Sequence, residues 1–176
     1  VWNLGHGLPE FLDEALPFRW ALAMWGEPTL SIDWNPHRFH HPSLATYLHL
    51  FVQLGAYLAG RVTGVYANPA DYHLSFLIDP TPMALAARGV GVIADLATVF
   101  FVARAADRLR RGAGWLAGLL VGVSPSFIVG ARSILSDTIM AALAIAAVER
   151  MLAYRQSGGN ARLFAAAALI GLAAGA

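Results

Sequence analysis

Residues 82–106 read PMALAARGVGVIADLATVFFVARAA. A helix needs roughly 20 apolar residues to cross a hydrocarbon core about 30 Å thick, and this run is long enough. Before Arg104 only Arg88 and Asp95 interrupt it with charge. Further apolar runs follow at 113–129, 135–154 and 163–176, the last shorter than a span requires. The whole chain agrees with that pattern. Of its 176 residues, 57% are hydrophobic and 13% charged, with a mean hydropathy of +0.56. Soluble domains carry about 25% charged residues. The deficit makes lipid the main solvent and predicts an all-α, polytopic transmembrane helix bundle over 82–176.

Composition also excludes several classes. The net charge is +1, and the arginines form no tract able to follow nucleic-acid phosphates. The absence of Cys excludes disulfides and thiolate metal sites. Val1 is not a start residue, and the first stretch is neither a basic nor an apolar leader region. The final run stops while still apolar. The chain is therefore expected to be an internal or N-terminal part of a longer protein.

Residues 1–81 differ from the rest. Phe11, Ala15, Phe18, Leu22 and Trp25 recur at alternating spacings of four and three, which is one face of a helix. Pro9 or Glu10 suits its first turn and Gly26 its end. This helix is too short to span and carries Asp13, Glu14 and Arg19, so it is expected at an interface. Residues 27–42 form a loop rich in Pro, Asp, Asn and His. Residues 43–65 form a second helix, broken by His49, Gln53, Gly55 and Gly60. Residues 66–81 read as a polar connection.

Arginine placement gives the orientation. Arg104, Arg108, Arg110 and Arg111 crowd one connection, and Arg150, Arg155 and Arg162 crowd another. Both should be cytoplasmic, and the two spans between them keep that parity consistent. The loop 130–137 is then outside, and the span at 82 begins outside. If the helix 43–65 lies in the interface, anchored by Tyr47, Tyr57 and Tyr66, all of 1–81 is outside. If it crosses, the loop 27–42 is cytoplasmic. Its internal polar residues and the shortage of Arg beside it favour the interfacial reading. The expected location is a multi-pass position in a prokaryotic plasma (inner) membrane, with the outer loop as a separate region over 1–81.

On this topology the outer side collects Glu10, Asp13, Glu14, His37, His40, His41, Arg88, Arg132 and Asp137. Ionisable groups in or near lipid are costly and usually functional. Adjacent helical residues point about 100° apart, so only one of Asp13 and Glu14 can face a cavity. Both are also simply favourable charges near a helix N-terminus. His40 and His41 precede a helix, where a neutral imidazole can donate to phosphate; equally they are wet loop histidines. Arg88 either snorkels to headgroups or pairs with a lipid phosphate. Asp95 lies two turns deeper and needs a partner. Arg132 and Asp137 flank a short loop, where a local ion pair is the plain alternative, and Ser136 is placed to cap the next helix. The histidine spacing fits no zinc pattern, so no metal is expected.

These stretches together resemble a known family. Phe11-Leu12-Asp13-Glu14-Ala15 resembles the acidic motif in the first outer loop of the GT-C superfamily. The nearest pattern is that of the family 39 glycosyltransferases, the protein mannosyltransferases and aminoarabinose transferases. Asn35-Pro36, then Phe39-His40-His41-Pro42-Ser43-Leu44 with Tyr47, resembles the family's aromatic-x-x-Pro-Pro-Leu segment, with Ser43 in place of the second Pro. Arg88-Gly89 resembles the Arg that opens a following span. Arg132 to Asp137 resembles the Arg-to-Asp loop two spans later, and Gly171-Leu172-Ala173-Ala174-Gly175 the Gly-rich span that usually precedes a Lys or Arg.

The resemblance implies a membrane enzyme that moves a hexosyl or pentosyl group, with inversion, from a polyprenyl-phosphate-linked donor to a protein or lipid acceptor on the outer face. Asp13, with Glu14 beside it, would be the catalytic carboxylate. His40, His41, Arg88 and Arg132 would hold the donor phosphate, and Asp137 would orient Arg132 or face the acceptor. Family 39 members generally need no metal, although other GT-C enzymes use one between the acidic residues of these loops. Two other functions fit the residues themselves: a transporter or flippase for a lipid-linked substrate, and a noncatalytic membrane scaffold.

Overall fold

The computed structural model describes residues 15–26, 31–38 and 41–176. They form an all-α fold of eight helices with one two-stranded ladder. The chain divides into two compact units. The first comprises residues 1–90 with Ser133–Leu135; the second comprises Gly91–Arg132 and Ser136–Ala176.

The first unit opens on α1, Leu16–Ala23. The helix expected over 10–25 is thus shorter within the described residues. Pro17 is the reason. Proline inside a helix loses a hydrogen bond and clashes with the preceding turn, whereas the first turn tolerates it. The helix accordingly starts just before Pro17, and Ala15 precedes it in a left-handed conformation, φ 70°. Pro9 and Glu10 lie outside the described residues. At the other end β1, Trp25–Gly26, pairs antiparallel with β2, Ser31–Ile32, in the register Trp25 to Ile32. A Cβ at Gly26 would overlap the Ser31 side chain, so glycine permits the pairing.

Helix α2, Leu44–Val62, is close to the expected 43–65. It buries Thr46, His49, Leu50, Gln53, Tyr57 and Gly60, one stripe at helical spacing. It packs on α1. Gly64, at φ 77°, ends it, and the Val65 and Tyr66 amides return to the Gly60 carbonyl at 2.8 and 3.2 Å.

The stretch expected as a polar connection, 66–81, contains a helix instead: α3, Pro69–Ile78. Asn68 caps it. Its side chain accepts from the Asp71 amide at 3.0 Å, while Asp71 accepts from the Asn68 amide at 3.2 Å. That is a reciprocal capping box with proline at the first helical position. Trp25, Tyr57, Tyr66 and Tyr72 meet beneath α3, with Trp25 stacked on Tyr72 at 5.1 Å and Tyr57 edge-on to Trp25 at 5.4 Å.

Helix α4, Thr81–Leu109, runs on from 90 into the second unit as one uninterrupted element. The run at 113–129 is not one helix. It divides into α5, Gly114–Gly122, and α6, Pro125–Gly130. Pro125 has no amide hydrogen to donate and forces Ser124 out of the helical region, to ψ 125°. Asp107 holds the α4–α5 turn by accepting from the Gly112 and Gly114 amides at 3.1 and 2.8 Å. A Cβ on Gly114 would meet the Ala103 carbonyl, so this close approach also needs glycine. Helices α7, Ser136–Ser157, and α8, Asn160–Ala174, pack along each other. Their buried residues include Ala142, Ala146, Ala147, Ala153 and Ala166, small side chains that let helix axes approach.

Among the described residues, α4 alone is long and apolar enough to cross a membrane. Only a third of its most apolar stretch is buried, unlike the core helix of a soluble protein. Helix α7 matches α4 more nearly in length but carries Asp137, Glu149, Arg150 and Arg155. Helix α2 is diluted by His49, Gln53 and Arg61.

Candidate functional site

Asp13, Glu14 and His40 lie outside the described residues. The residue after the acidic pair is described, and its geometry is unusual. Ala15 is fully buried and left-handed, a conformation that costs a non-glycine residue about 1–2 kcal/mol. Strained backbone of this kind persists only where the surroundings over-determine it, and it collects at functional sites. Here the surroundings are visible. The Ala15 amide donates to the Ile134 carbonyl at 3.2 Å, and the Ala15 carbonyl accepts from the Arg19 amide at 2.8 Å. Ser133 and Ile134 are as buried as Ala15. The chain is thus pinned, immediately after Asp13-Glu14, to the segment that separates Arg132 from Asp137.

Arg88 belongs to the same unit. Among the described residues it is the largest fully buried side chain. Ala87 and Met83, on the same stretch of α4, pack in one apolar cluster with Ala15, Phe18 and Ile134. Arg88 therefore does not reach out to the surface. A buried charge is stable only when neutralised or hydrogen-bonded.

The histidine loop divides. His41 is exposed and lies against the Trp20 ring, centroids 5.0 Å apart. His37 pairs elsewhere: its Nε2 bonds Asp33 Oδ2 at 2.8 Å, with both side chains exposed. Asp33 Oδ1 accepts from the Asn35 amide at 2.9 Å, and Asn35 Oδ1 accepts from the His37 amide at 2.9 Å. These bonds, the Asn35 amide first and His37 second, hold the Asp33 carboxyl below its ordinary range. Tyr47 donates to the Trp34 carbonyl at 2.8 Å and ties the loop to α2. Among the described residues no three His, Asp or Glu side chains converge as a metal site.

The second unit contains Arg132, half-buried, and Asp137, exposed in the first turn of α7. Asp95 is buried on α4, and its Oδ2 accepts no hydrogen bond among the described residues.

Sequence reading missed the most concentrated charge cluster of the second unit. Glu149 is fully buried. Its Oε1 accepts from Arg108 Nε at 2.7 Å and from Arg104 Nε at 3.3 Å, and Oε2 pairs with Arg150. Arg108 Nη1 also donates to Gln156 Oε1 at 3.1 Å. The signal existed: Arg104 and Arg108 stand four apart on one helix, and Glu149 interrupts an apolar run. It is weak because the arginines are already explained as topology determinants.

Compared with known proteins, the chain matches no family model, no curated protein and no solved structure.

Proposed function

We propose that this chain is part of a multi-pass membrane glycosyltransferase that transfers a sugar from a polyprenyl-phosphate donor on the outer face. The observation that carries the reading is the hydrogen bond from Ala15 to Ile134. Four short motifs resemble the GT-C family, and two of them, the acidic pair and the Arg-to-Asp loop, lie far apart in sequence. The bond joins the residue beside the first to the middle of the second. Arg88 is fully buried, and its helix neighbours Met83 and Ala87 belong to the same apolar cluster as Ala15 and Ile134; a guanidinium suits an anionic group there.

The membrane part of the proposal rests on α4 and on the side chains around it. Ile93, Leu96 and Phe100 on α4 are more than half exposed, as are Trp115, Leu119 and Leu120 on α5 and Phe164 on α8. Exposed apolar surface of this extent marks a buried partner, and lipid covers it most simply. In that reading α4 spans, α5 with α6 forms a broken second span, and α7 and α8 continue the bundle.

In the proposed reaction Asp13 takes the proton of an acceptor hydroxyl. The hydroxyl oxygen bonds the anomeric carbon as the bond from that carbon to the phosphate oxygen breaks. Polyprenyl phosphate leaves with the electron pair, its charge balanced by Arg88, Arg132 and His41, with His40 and Asp137 around them. The test reads polyprenyl phosphate released by the full-length protein in lipid, from a panel of polyprenyl-phosphate sugars. Asp13→Asn should lower release by about 10²–10⁴-fold, the usual worth of general-base help, while insertion persists. Unchanged release would remove Asp13 from the chemistry. Movement of the lipid-linked sugar without release would make the protein a flippase.

A further inference from the structure

The charge cluster around Glu149 borders two cavities, both within the second unit. The first, of about 590 Å³, is lined by Arg104, Asp107, Arg108, Leu109, Arg111 and Gln156. The second, of about 350 Å³, is lined by Ala97, Phe101, Ala142, Leu143, Ala146 and Leu169, and Arg150 is its single charged wall residue. Glu149 connects the two, because it bonds Arg104 and Arg108 of the first and Arg150 of the second.

The spacing along α4 explains the arrangement. Ala97, Phe101, Arg104 and Arg108 fall at intervals of four, three and four, which is one helix face. The apolar cavity lies toward the start of that face and the basic cavity toward its end. At 1.5 Å rise per residue, Ala97 and Arg104 are roughly 10 Å apart along the axis. That is the separation of a phosphate headgroup from the upper part of its acyl chain.

The charge is unbalanced toward cations. Four guanidiniums, on Arg104, Arg108, Arg111 and Arg150, meet two carboxylates. One carboxylate, Glu149, is fully buried, and the other, Asp107, is occupied by the Gly112 and Gly114 amides. Arg104 and Arg108 direct their Nε hydrogens to Glu149. The two terminal nitrogens of Arg104 have no hydrogen-bond partner among the described residues, and Arg104 is 47% exposed. Arg111 makes no side-chain hydrogen bond among the described residues while lining the cavity. Buried Glu149 thus acts as a brace: it fixes two forks by one edge and leaves donors for a second anion.

We propose that this face binds an anionic phospholipid, with the phosphate on Arg104, Arg108 and Arg111 and an acyl chain in the apolar groove. Phosphate accepts from paired guanidinium donors, and arginine is suited to it. The basic and apolar cavities are lined by residues of one α4 face, Ala97 and Phe101 for the apolar one and Arg104 and Arg108 for the basic one, which favours a lipid over a free anion. The Arg-rich side is the cytoplasmic side in the charge-bias reading, where anionic lipids attract basic groups. The proposal rests on membrane insertion and is independent of sugar transfer.

The test uses the full chain in phosphatidylcholine nanodiscs carrying increasing phosphatidylglycerol. Retained lipid is read by native mass spectrometry and the thermal midpoint is followed in parallel. Phosphatidylglycerol should be retained and should raise the midpoint. Arg104→Gln with Arg111→Gln should weaken its apparent affinity at least about tenfold, the worth of a single charge-assisted bond. If the double variant lowers the midpoint in pure phosphatidylcholine, Arg111→Gln alone serves, because Arg111 supports no other side chain. Ala97→Phe should weaken diacyl lipid binding and leave inorganic phosphate binding unchanged. Equal retention by wild type and Arg variants would overturn the proposal. So would complete displacement by millimolar inorganic phosphate, which would make this a free-anion site. Sugar transfer is not read, so its failure has no bearing on the outcome.

Discussion

In the first unit, Gln53 sits at the centre of an aromatic core: it accepts from Trp25 Nε1 at 3.1 Å and donates to the Phe18 carbonyl at 2.9 Å. In the second unit, Glu149 holds the corresponding place among arginines. Both side chains are almost wholly buried, at 1% and 0% exposure. At Gln53 the first unit satisfies a buried neutral group by hydrogen bonds. At Glu149 the second satisfies a buried charge by opposite charge, although Asp95 is also buried there with Oδ2 unpartnered among the described residues. Around Gln53 the partners are large aromatics; around Glu149 the neighbouring helices pack on alanine. A neutral network specifies one arrangement of rings and so suits the unit that would shape a substrate site. A braced arginine cluster leaves donors over and suits a surface that meets anions.

The comparison breaks most sharply at Glu149. Removing one partner of a buried ion pair typically costs about 3–5 kcal/mol, because the remaining charge stays unpaired. Arg104 is partly exposed and can turn to water, so the expected loss for Glu149→Gln is near the lower end, about 3 kcal/mol. Unfolding of the detergent-solubilised protein, followed by near-ultraviolet signals, measures it. A loss under about 1 kcal/mol would show that the arginines need no brace.

The first unit offers the opposite test, through a group kept neutral. His49 is 1% exposed, its Nδ1 has no partner among the described residues, and its ring meets Phe18 edge-on at 6.2 Å. Burial pushes its pKa from 6.5 down to about 4. Above pH 6.5 the ring is neutral in both states, and folding is independent of its proton. Between that pH and about 4 only the unfolded chain binds the proton, so stability falls as pH falls. The full window is worth about 3 kcal/mol at about 1.4 kcal/mol per unit. Unfolding at pH 7, 6 and 5 should show the decline, and His49→Phe should flatten it. A decline of equal slope in that variant would assign the effect to carboxylates elsewhere.

Much of this contrast was hidden in the sequence for physical reasons. Apolar length and period placed α2, α4 and α7 within a few residues, because those elements are decided locally. The errors fall at prolines. Pro17 starts a helix that periodicity ran straight through, Pro125 breaks a run that hydropathy treated as one span, and Asn68-Pro69 opens a helix in a stretch judged only polar. His49 and Gln53 read in the sequence as polar interruptions; their four-residue spacing also puts them on the buried stripe of α2. Arg88 was legible as a misplaced charge. Glu149 was not, since its partners lie more than 40 residues away. The Ala15 to Ile134 bond joins two segments that sequence order alone could group but not place in contact.

Gln53→Leu sharpens the comparison from the neutral side. The change preserves approximate size and leaves the Trp25 Nε1 hydrogen and the Phe18 carbonyl without their partner. A buried polar group left unsatisfied costs about 1–3 kcal/mol. The expected loss is about 2 kcal/mol, below that at Glu149, with Trp25 fluorescence shifting as its hydrogen bond disappears. A larger loss than at Glu149 would reverse the ranking and make the neutral network the more demanding of the two.

The smallest effect should come from Asn68→Ala, at the edge of the first unit. Asn68 is exposed, so no core contact is lost; what goes is the acceptor for the Asp71 amide and one half of the capping box. Such caps are worth about 1 kcal/mol. The loss should be local, because α3 is only ten residues long and its first turn depends on the cap. Hydrogen exchange should accelerate at the first amides of α3 and stay unchanged in α7. If exchange accelerates across the Trp25–Tyr57–Tyr72 stack as well, the cap governs how α3 closes over the aromatic core. The first unit would then be cooperative from its surface to Gln53, which is the property a preorganised site requires.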